Sequence, residues 1–531
     1  MSTLVIDDLR VPRCVHLAQS IRPLEAREPI GIDLMEMVMT LEPGTERTTD
    51  VIVLGGGGSG LAAAVSSAQR GVSVLVVEKQ SRLGGSTSLS VGSITAAGTR
   101  LQRRAGIHDC ADDFEEDMIL FDPNLLTGDA PALRRVLASE SATTVEWLES
   151  LGVAFVGPYP EPPHRVARMH NVIPNSRAYI ARLSEAAQRL GVELLLGAEA
   201  IDLIEDRGGV VGVLVRDSDG RQVSLRARRG VILASGDFSG NADMRRQHLS
   251  AAAAAAHPVN PNASGDGHRL AARLGAQPQR MDVTFGPQLR FPPPPRTGLI
   301  DRLPMWSWLC KLEAFLVQRL PASALRPFVK SLLITHMSPS SKLFESGAIL
   351  VNRAGVRFCD ETESVSALSA QEGAEGYIVF GSEIAEVFSS APNSISTAPG
   401  IAFAYFEDYR RGRPDLVKSA DTAQALAQLI HLDSAVLAES MRDRGFTPPY
   451  CAMGPVYSML TVTEGGLAVD EQTRVLDSLG IPIENLYAVG GVGQGGMLLM
   501  GHGHHIGWAM TSGRLAGESV ARRLVSKQVV D

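Results

Sequence analysis

Three glycines and one carboxylate near the start of the chain have types and spacings that suit contact with a nucleotide. Gly55, Gly57 and Gly60 fall on the G-x-G-x-x-G spacing, and Glu78 follows after a helix-length interval. The first glycine permits a tight turn, the second lets the backbone approach a pyrophosphate, and the third lets a helix pack closely on a strand. A carboxylate at the end of the second strand accepts a hydrogen bond from a ribose hydroxyl. This spacing predicts a dinucleotide site.

Three histidines form a second group that could do chemistry. His502, His504 and His505 stand within four positions near the C-terminus. Imidazoles ligate metals, and they give or take protons near neutral pH. No carboxylate or thiol lies near them in the sequence, so we assign no metal. Proton transfer, by His504 or His505, is one interpretation, and contact with a cofactor or a structural role stays open beside it.

The elements that must position the glycines can be read from the same stretch. Residues 51–54 are a short, β-branched apolar run that ends in glycine, which is typical of a buried parallel strand. Residues 61–69 are small and helix-compatible, and 72–77 form a second strand that closes on Glu78. Lys79 follows without an arginine beside it, which fits an unphosphorylated ribose.

Length and composition limit the class of protein. The chain has 531 residues and a net charge of −8, which predicts two or more domains and gives no reason to expect nucleic acid as a partner. Five scattered cysteines form no C-x-x-C pair and indicate reduced thiols. The acidic N-terminus does not read as a signal peptide, and no apolar run reaches the ~20 residues of a membrane-spanning helix. We expect a cytoplasmic protein.

A loop rich in glycine and hydroxyl groups, residues 82–94, follows the second strand. With its G-G-S-x-x-x-S-x-G pattern, the chain resembles the FAD enzymes that comprise fumarate reductases and 3-ketosteroid dehydrogenases, with the latter closer. The resemblance returns at 141–155, 164–171, 191–215, 231–241, 262–276, 347–361 and 454–522. It implies FAD, bound non-covalently. The glycine motif and the resemblance together assign to FAD binding the residues Gly55, Gly57, Gly58, Ser59, Gly60, Glu78, Lys79, Gly84, Gly85, Ser86, Thr87, Ser90, Gly92, Ala200, Ser235, Gly236, Asp266, Gly490, Gly491 and Ile506.

The resemblance also implies an α/β architecture in which a Rossmann-type FAD-binding domain is interrupted by an α+β capping domain. We expect an N-terminal arm at 1–49, the FAD-binding domain at 50–285 and 447–531, and the cap at 286–446. The apolar segment 303–337, with its scattered basic residues, has three interpretations: core of the cap, wall of a hydrophobic substrate pocket, or a membrane-surface patch. Prolines interrupt it, so it is not expected to span a bilayer.

The substrate-facing positions predict the reaction. Fumarate reductases hold a dicarboxylate with arginines, but the matching stretches here, 381–382 and 503–508, contain none. Tyr457 matches the tyrosine that donates to the substrate's 3-keto oxygen in ketosteroid dehydrogenases. The tyrosines that abstract a proton there have no match; Tyr159, Tyr405 and Tyr409 are the unplaced candidates.

We therefore expect an FAD-dependent oxidoreductase acting on CH–CH groups. Our first interpretation is a dehydrogenase that introduces a C=C bond α,β to the ketone of a steroid-like hydrophobic substrate, with an external electron acceptor. The alternative is an ene-reductase of the fumarate reductase type that acts on an α,β-unsaturated acid or ketone. A non-catalytic FAD protein that binds a lipid or a partner is a third interpretation.

Overall fold

The computed structural model describes residues 37, 39, 47–123, 126–295, 304–320, 338–398 and 402–523. Most of the predicted N-terminal arm and half of the segment 303–337 lie outside these residues. None of the described helices is long and apolar enough to cross a membrane.

Helices and strands alternate along the described residues, numbered in chain order. Strands of the first half are β1 Arg47–Leu54, β2 Val74–Glu78, β3 Ser93–Thr95, β4 Ala154–Tyr159, β5 Met169–Ile173, β6 Glu193–Leu196, β7 Glu199–Asp206, β8 Gly209–Arg216, β9 Gln222–Leu233, β10 His257–Pro258, β11 Pro278–Gln279, β12 Thr284–Phe285 and β13 Gln288–Arg290. Its helices are α1 Gly58–Ala68, α2 Arg100–Arg104, α3 Ala111–Ile119, α4 Pro131–Ser150, α5 Arg177–Arg189, α6 Ala242–His248, α7 Ala251–Ala255 and α8 Asp266–Ala272.

The second half adds shorter elements and one long terminal helix. Its helices are α9 Ser307–Arg319, α10 Lys342–Glu345, α11 Ser364–Ser369, α12 Ser382–Val387, α13 Phe406–Gly412, α14 Ala423–Leu429, α15 Ser434–Met441 and α16 His504–Arg522. Its strands are β14 Ile349–Asn352, β15 Glu375–Phe380, β16 Ser396–Ala398, β17 Ala402–Ala404, β18 Val417–Ala420, β19 Tyr450–Leu460, β20 Val462–Thr463, β21 Gly466–Leu467, β22 Arg474–Leu476 and β23 Pro482–Ala488.

A parallel sheet forms the centre of the nucleotide-binding part, with the strand order β23-β9-β1-β2-β6. Strand β1 lies in the middle, and its residues Val51, Ile52 and Val53 are fully buried. Short β-branched runs are suited to strands that are covered on both faces. The predicted strand, helix and second strand of the glycine motif are confirmed as β1, α1 and β2, and the mixed α/β class is confirmed with them.

A second sheet is built around the long strand β19, which pairs with β10, β13, β15 and β18. Strand β14 extends it through β15. The expected boundary at residue 446 would leave β19 in the FAD-binding domain, whereas its pairing favours a boundary after Leu460. The division into an FAD-binding domain and a cap stays a proposal.

The hairpin predicted at 347–361 is only half formed. Strand β14 is present, but the predicted second strand is reduced to one bridge between Val351 and Arg357. The chain leaves the sheet there because Asp360 caps a short 3₁₀ turn at Glu361–Glu363. Arg357 binds Glu361 through two hydrogen bonds of 2.7 and 2.6 Å.

Candidate active site

The glycine turn has the geometry that its spacing predicts. Gly55 has a φ of +120°, a backbone conformation that favours glycine. A Cβ on Gly60 would lie 1.9 Å from the carbonyl oxygen of Gly55, so only glycine allows α1 to start this close to β1. Gly57 is the N-cap of α1 and provides no side-chain cap, which leaves the helix terminus available to a phosphate.

Glu78 ends β2 and is almost fully buried beside this turn. Its carboxylate accepts hydrogen bonds from the backbone N–H of Gly56 at 2.7 Å and of Gln80 at 2.8 Å. Burial raises the pKa of Glu78, and the two N–H donors oppose that rise. Glu78 therefore holds the glycine turn in shape, and its contact with a ribose stays a prediction.

Lys79 and Asp266 are far apart in sequence and form one ion pair. Lys79 Nζ lies 2.8 Å from Asp266 Oδ2, and Ser264 hydrogen-bonds to both residues. Burial acts to raise the pKa of Asp266, but Lys79 and its hydrogen-bond donors outweigh it and leave the pKa below its usual value. The pair fastens the N-terminal turn of α8 to the end of β2.

The loop from Gly84 to Gly92 lies against the N-terminus of α1. The backbone N–H of Gly58 donates to Thr87 Oγ1 at 3.2 Å, and Asn260 donates to Ser86 Oγ at 2.8 Å. Ser90 closes the loop through a hydrogen bond of 2.8 Å to the carbonyl oxygen of Thr87. The members of this loop that the sequence assigns to FAD binding are Gly84, Gly85, Ser86, Thr87, Ser90 and Gly92.

Two more predicted contacts follow strands of the parallel sheet. Ser235 comes directly after β9 and accepts a hydrogen bond of 3.0 Å from the backbone N–H of Gly267. A Cβ on its neighbour Gly236 would meet open space. Ala200 lies at the wall of a cavity of about 200 Å³, which Arg216 and Arg269 also line.

The C-terminal glycines return the chain to the glycine motif. A Cβ on Gly490 would lie 2.7 Å from Ser59 Oγ, and one on Gly491 would lie 3.1 Å from the backbone nitrogen of Asp237. Ile506, in the first turn of α16, packs partly buried against the core of the parallel sheet. The structure therefore brings the first and last predicted FAD-binding segments together.

Helix α16 runs beside α1 in the same direction and extends past its N-terminus. Met510 of α16 lies against Gly58, the first residue of α1, and Gly513 lies against Ser59 one turn further on. His504 begins α16 six residues before Met510, so the terminus extends about 9 Å beyond that of α1 at 1.5 Å per residue. A ligand whose pyrophosphate faces α1 would extend towards this first turn.

His505 and Glu464 form a buried acid–imidazole pair at that turn. His505 Nε2 lies 2.7 Å from Glu464 Oε1, and the Gln494 amide donates to the other carboxylate oxygen. Glu464 is buried, while the His505 side chain is 30% exposed. Burial acts to lower the pKa of His505, but the Glu464 carboxylate outweighs it and leaves the pKa above its usual value. The pair can hold and release a proton.

Asp237 lies next to this pair and is also buried. Its carboxylate accepts a hydrogen bond of 2.7 Å from the backbone N–H of Ser239. Burial raises the pKa of Asp237 to about 6, against the opposing effects of Ser239 and His505. The cluster of His505, Glu464, Asp237 and Gln494 joins three segments that are distant in sequence.

His504 has a different environment from its neighbour. Its ring is enclosed by Phe114, Phe121 and His164, with an Nε2–Nε2 distance of 3.3 Å to His164. Burial lowers the pKa of His504 well below its usual value, so the ring is neutral. These contacts favour a structural role over the predicted catalytic one, which stays untested.

His502 and a buried salt bridge complete the histidine region. His502 hydrogen-bonds to the Glu161 carboxylate, and its side chain is largely exposed. Arg168 is fully buried and binds Asp109 and Asp117 through its guanidinium group. Among the described residues, no group of three or more His, Cys, Asp or Glu side chains could hold a metal ion.

Tyr457, predicted to polarise a substrate carbonyl, lies on β19 of the second sheet. Its ring meets His257 edge to face at 5.7 Å. Burial and then the charge of Glu375 raise its pKa, so the hydroxyl keeps its proton. Among the unplaced tyrosines, Tyr409 is fully buried and hydrogen-bonds Ser396 at 2.8 Å, as a core residue does.

Glu464, Gln494 and Asp237 are the site residues that the sequence analysis did not assign. Two signals could have pointed to them. Asp237 stands where the related motif has a glycine, and Glu464 directly precedes the pair Gly465–Gly466. Their meeting with His505 depends on the fold and is not visible from spacing.

The arrangement fits an FAD molecule, because the glycine turn, the uncapped α1 terminus and Glu78 supply the contacts that a dinucleotide needs. Residues 50–503 match the family described as FAD binding domain. Since the match covers most of the sequence, the chain belongs to this family, and FAD is its cofactor.

Individual relatives narrow the class. The chain is 25% identical over 509 residues to the Fumarate reductase (cytochrome) of Shewanella frigidimarina, a match that covers 92% of this chain and 80% of that one. It is 27% identical to the Vinyl phenol reductase of Lactiplantibacillus plantarum, covering 91% of this chain and 98% of that protein. Among solved structures, a 3-ketosteroid delta1-dehydrogenase from Sterolibacterium denitrificans shares the fold, with a TM-score of 0.62, 22% identity, and coverage of 90% and 99%.

Family and relatives confirm the predicted class, an FAD-dependent oxidoreductase acting on CH–CH groups. The expected closeness to ketosteroid dehydrogenases is shown by fold alone, whereas these sequence relatives are named reductases.

Proposed function

We propose that this chain is an ene-reductase that reduces the C=C bond of an α,β-unsaturated acid or ketone, with electrons from an external donor. The sequence relatives named above, a fumarate reductase and a vinyl phenol reductase, support this direction of reaction. The observation that carries the proposal is the pair of His505 and Glu464 at the N-terminal turn of α16. It supplies a proton donor where the dicarboxylate-type arginines are missing.

Reduction of an activated C=C bond needs a hydride at the β carbon and a proton at the α carbon. FAD, when reduced, supplies the hydride. His505 is the residue that we assign to the proton, because Glu464 favours its protonated form. The imidazole nitrogen gives up its proton as the new C–H bond forms, and Glu464 keeps the ring oriented throughout.

Arg290 is our candidate for the group that holds the substrate's oxygen. Its guanidinium lies 3.2 Å from both Gln288 Oε1 and Thr461 Oγ1. The backbone N–H of Thr461 donates to the carbonyl oxygen of Phe285, whose ring lies 6.3 Å from that of His505. Arg290 is therefore linked to the proton donor through two residues. A guanidinium there would bind a carboxylate or ketone oxygen and stabilise negative charge that develops on it.

Dehydrogenation of a steroid-like ketone to an external acceptor is the second candidate. The observation that favours it is Tyr457, whose hydroxyl keeps its proton and could donate to a carbonyl oxygen. In that direction Tyr457 would polarise the ketone.

The two candidates are separated by mixing experiments under anaerobic conditions. Purified holoenzyme is reduced chemically and mixed with fumarate, acrylate, cinnamate, cyclohexenone or a 4-ene-3-ketosteroid while the flavin absorbance is followed. We expect fast recovery of the oxidised band with at least one enoate or enone, together with a product heavier by two hydrogens. Recovery with none of them, but bleaching of the oxidised enzyme by saturated 3-ketosteroids, would replace the proposal with the second candidate.

A variant tests the assignment of Arg290. Arg290→Gln should raise the KM for the best substrate by tenfold or more, since a charge-assisted hydrogen bond contributes about 1.5–3 kcal/mol. Arg357→Gln is the matched control, because Arg357 pairs with Glu361 within the second sheet. Equal KM values for the two variants would remove Arg290 from the site.

A further inference from the structure

Helix α9 directs most of its large apolar side chains away from the protein. With its two flanking residues it presents a set of side chains that are each at least 40% exposed: Trp306, Trp308, Leu312, Phe315, Leu316 and Leu320. Contiguous apolar patches of this kind are rare on monomeric soluble proteins and mark interaction surfaces. The same helix lies in the segment for which the sequence left a membrane-surface patch open.

The outward direction follows from how α9 is held. Cys310 and Ala314 are buried against Ala154 and Val156 of β4, and Val317 packs beside them. These inner positions follow the i, i+4, i+7 spacing of one helix face. At about 100° per residue, Trp308, Leu312, Phe315 and Leu316 occupy the opposite face. The helix is therefore anchored by small side chains and presents the large ones.

Basic side chains share the exposed face. Lys311 and Arg319 are exposed, and the Arg319 guanidinium lies 5.1 Å from the centre of the Phe315 ring. Residues 303–337 contain four basic side chains and one acidic one, although the whole chain has a net charge of −8. Tryptophan, phenylalanine and leucine combined with lysine and arginine on one helix are typical of helices that lie in a membrane interface.

We infer that this exposed face of α9 binds the surface of a membrane that contains anionic phospholipids. The apolar side chains would enter the boundary between headgroups and acyl chains, and Lys311 and Arg319 would contact the phosphates. A second copy of the chain is a poorer occupant. A two-fold contact through this face would bring Lys311 and Arg319 of both copies together without acidic partners from the face itself.

Vesicle flotation with the full-length holoenzyme tests the inference. The protein is mixed with vesicles of phosphatidylcholine and phosphatidylglycerol, and separately with phosphatidylcholine alone. We expect flotation with the anionic vesicles at low salt and at least fivefold less with phosphatidylcholine or at high salt, because salt screens the basic residues. The combined variant Trp308→Ser, Phe315→Ser and Leu316→Ser should lose at least tenfold in partitioning. Lys311→Glu with Arg319→Glu should lose the preference for anionic lipid.

The control removes exposed apolar side chains elsewhere. Leu479 and Ile481 are also highly exposed, and Leu479→Ser with Ile481→Ser should float as the unchanged protein does. Bound flavin, read from its absorbance, shows that each variant is folded. Flotation that is equal for all variants, or absent for the unchanged protein at low salt, overturns the inference. So does a dimer in light scattering that the α9 variant converts to a monomer without any vesicle binding.

Discussion

Replacement of Glu464 by glutamine tests the proton donor most sharply. Glu464→Gln keeps the size of the side chain and its contact with Gln494 but removes the negative charge 2.7 Å from His505 Nε2. Hydrogen bonds to charged groups contribute about 1.5–3 kcal/mol, and one pKa unit corresponds to about 1.4 kcal/mol. The pKa of His505 should therefore fall by about 1–2 units.

The sign of the effect on activity follows from the role of His505. Only the protonated imidazole can donate, and Glu464 raises the pH at which that proton is lost. Without the carboxylate, the fall in rate on the basic side of the pH profile should move about 1–2 pH units lower. At neutral pH this lowers the single-turnover rate of flavin reoxidation by about 10- to 100-fold, and lowering the pH restores most of it.

The assay is stopped-flow reoxidation of the reduced enzyme by its best enoate or enone across a pH series. Glu161→Gln is the matched control, because it removes a carboxylate from the neighbouring pair with His502. That variant should leave the basic limb in place. A uniform loss of rate in Glu464→Gln, with no displacement of the limb, would refute the assignment of His505 as the proton donor.

Three further substitutions give independent outcomes. Burial holds the pKa of Asp237 at about 6, above its unfolded value, so stability should be lost as pH rises towards and through that value; Asp237→Asn should raise the thermal midpoint at pH 8 and remove this dependence, with a gain on the order of 2–3 kcal/mol, measured by calorimetry. Glu78→Gln leaves one of two buried N–H donors without an acceptor and should weaken FAD binding about 10- to 100-fold in a fluorescence titration. Tyr457→Phe should change enoate reduction less than threefold if the ene-reductase proposal holds; a loss of about 10²-fold or more would assign the hydroxyl to an oxyanion contact.

The parts of the fold that could be predicted are those set by local spacing. The Gly55–Gly60 turn, α1 and β2 follow from interactions between residues close in sequence, and the structure has all three. Likewise, Asp433 was expected as an N-cap, and it accepts hydrogen bonds from Ala435 and Val436 at the start of α15.

The active site depends on long-range packing and could be predicted only in part. His505 was selected from its residue type, but its partner Glu464 is contributed by the connection between β20 and β21. The two meet because Gly490–Gly491 folds back on Ser59, which no local pattern indicates. Likewise, the pairing of β19 with β13 places Tyr457 opposite Arg290 in the second sheet. Strand register of this kind is set by tertiary contacts.

The central claim is the direction of the reaction, and one preparation of holoenzyme, divided in two, tests it most directly. Half is reduced and mixed with the enoate and enone panel, and half is left oxidised and mixed with saturated ketones, including 3-ketosteroids, with the flavin band followed anaerobically in both. The ene-reductase proposal predicts reoxidation at least tenfold faster than any bleaching. Bleaching by a saturated ketone that outpaces every reoxidation would contradict it.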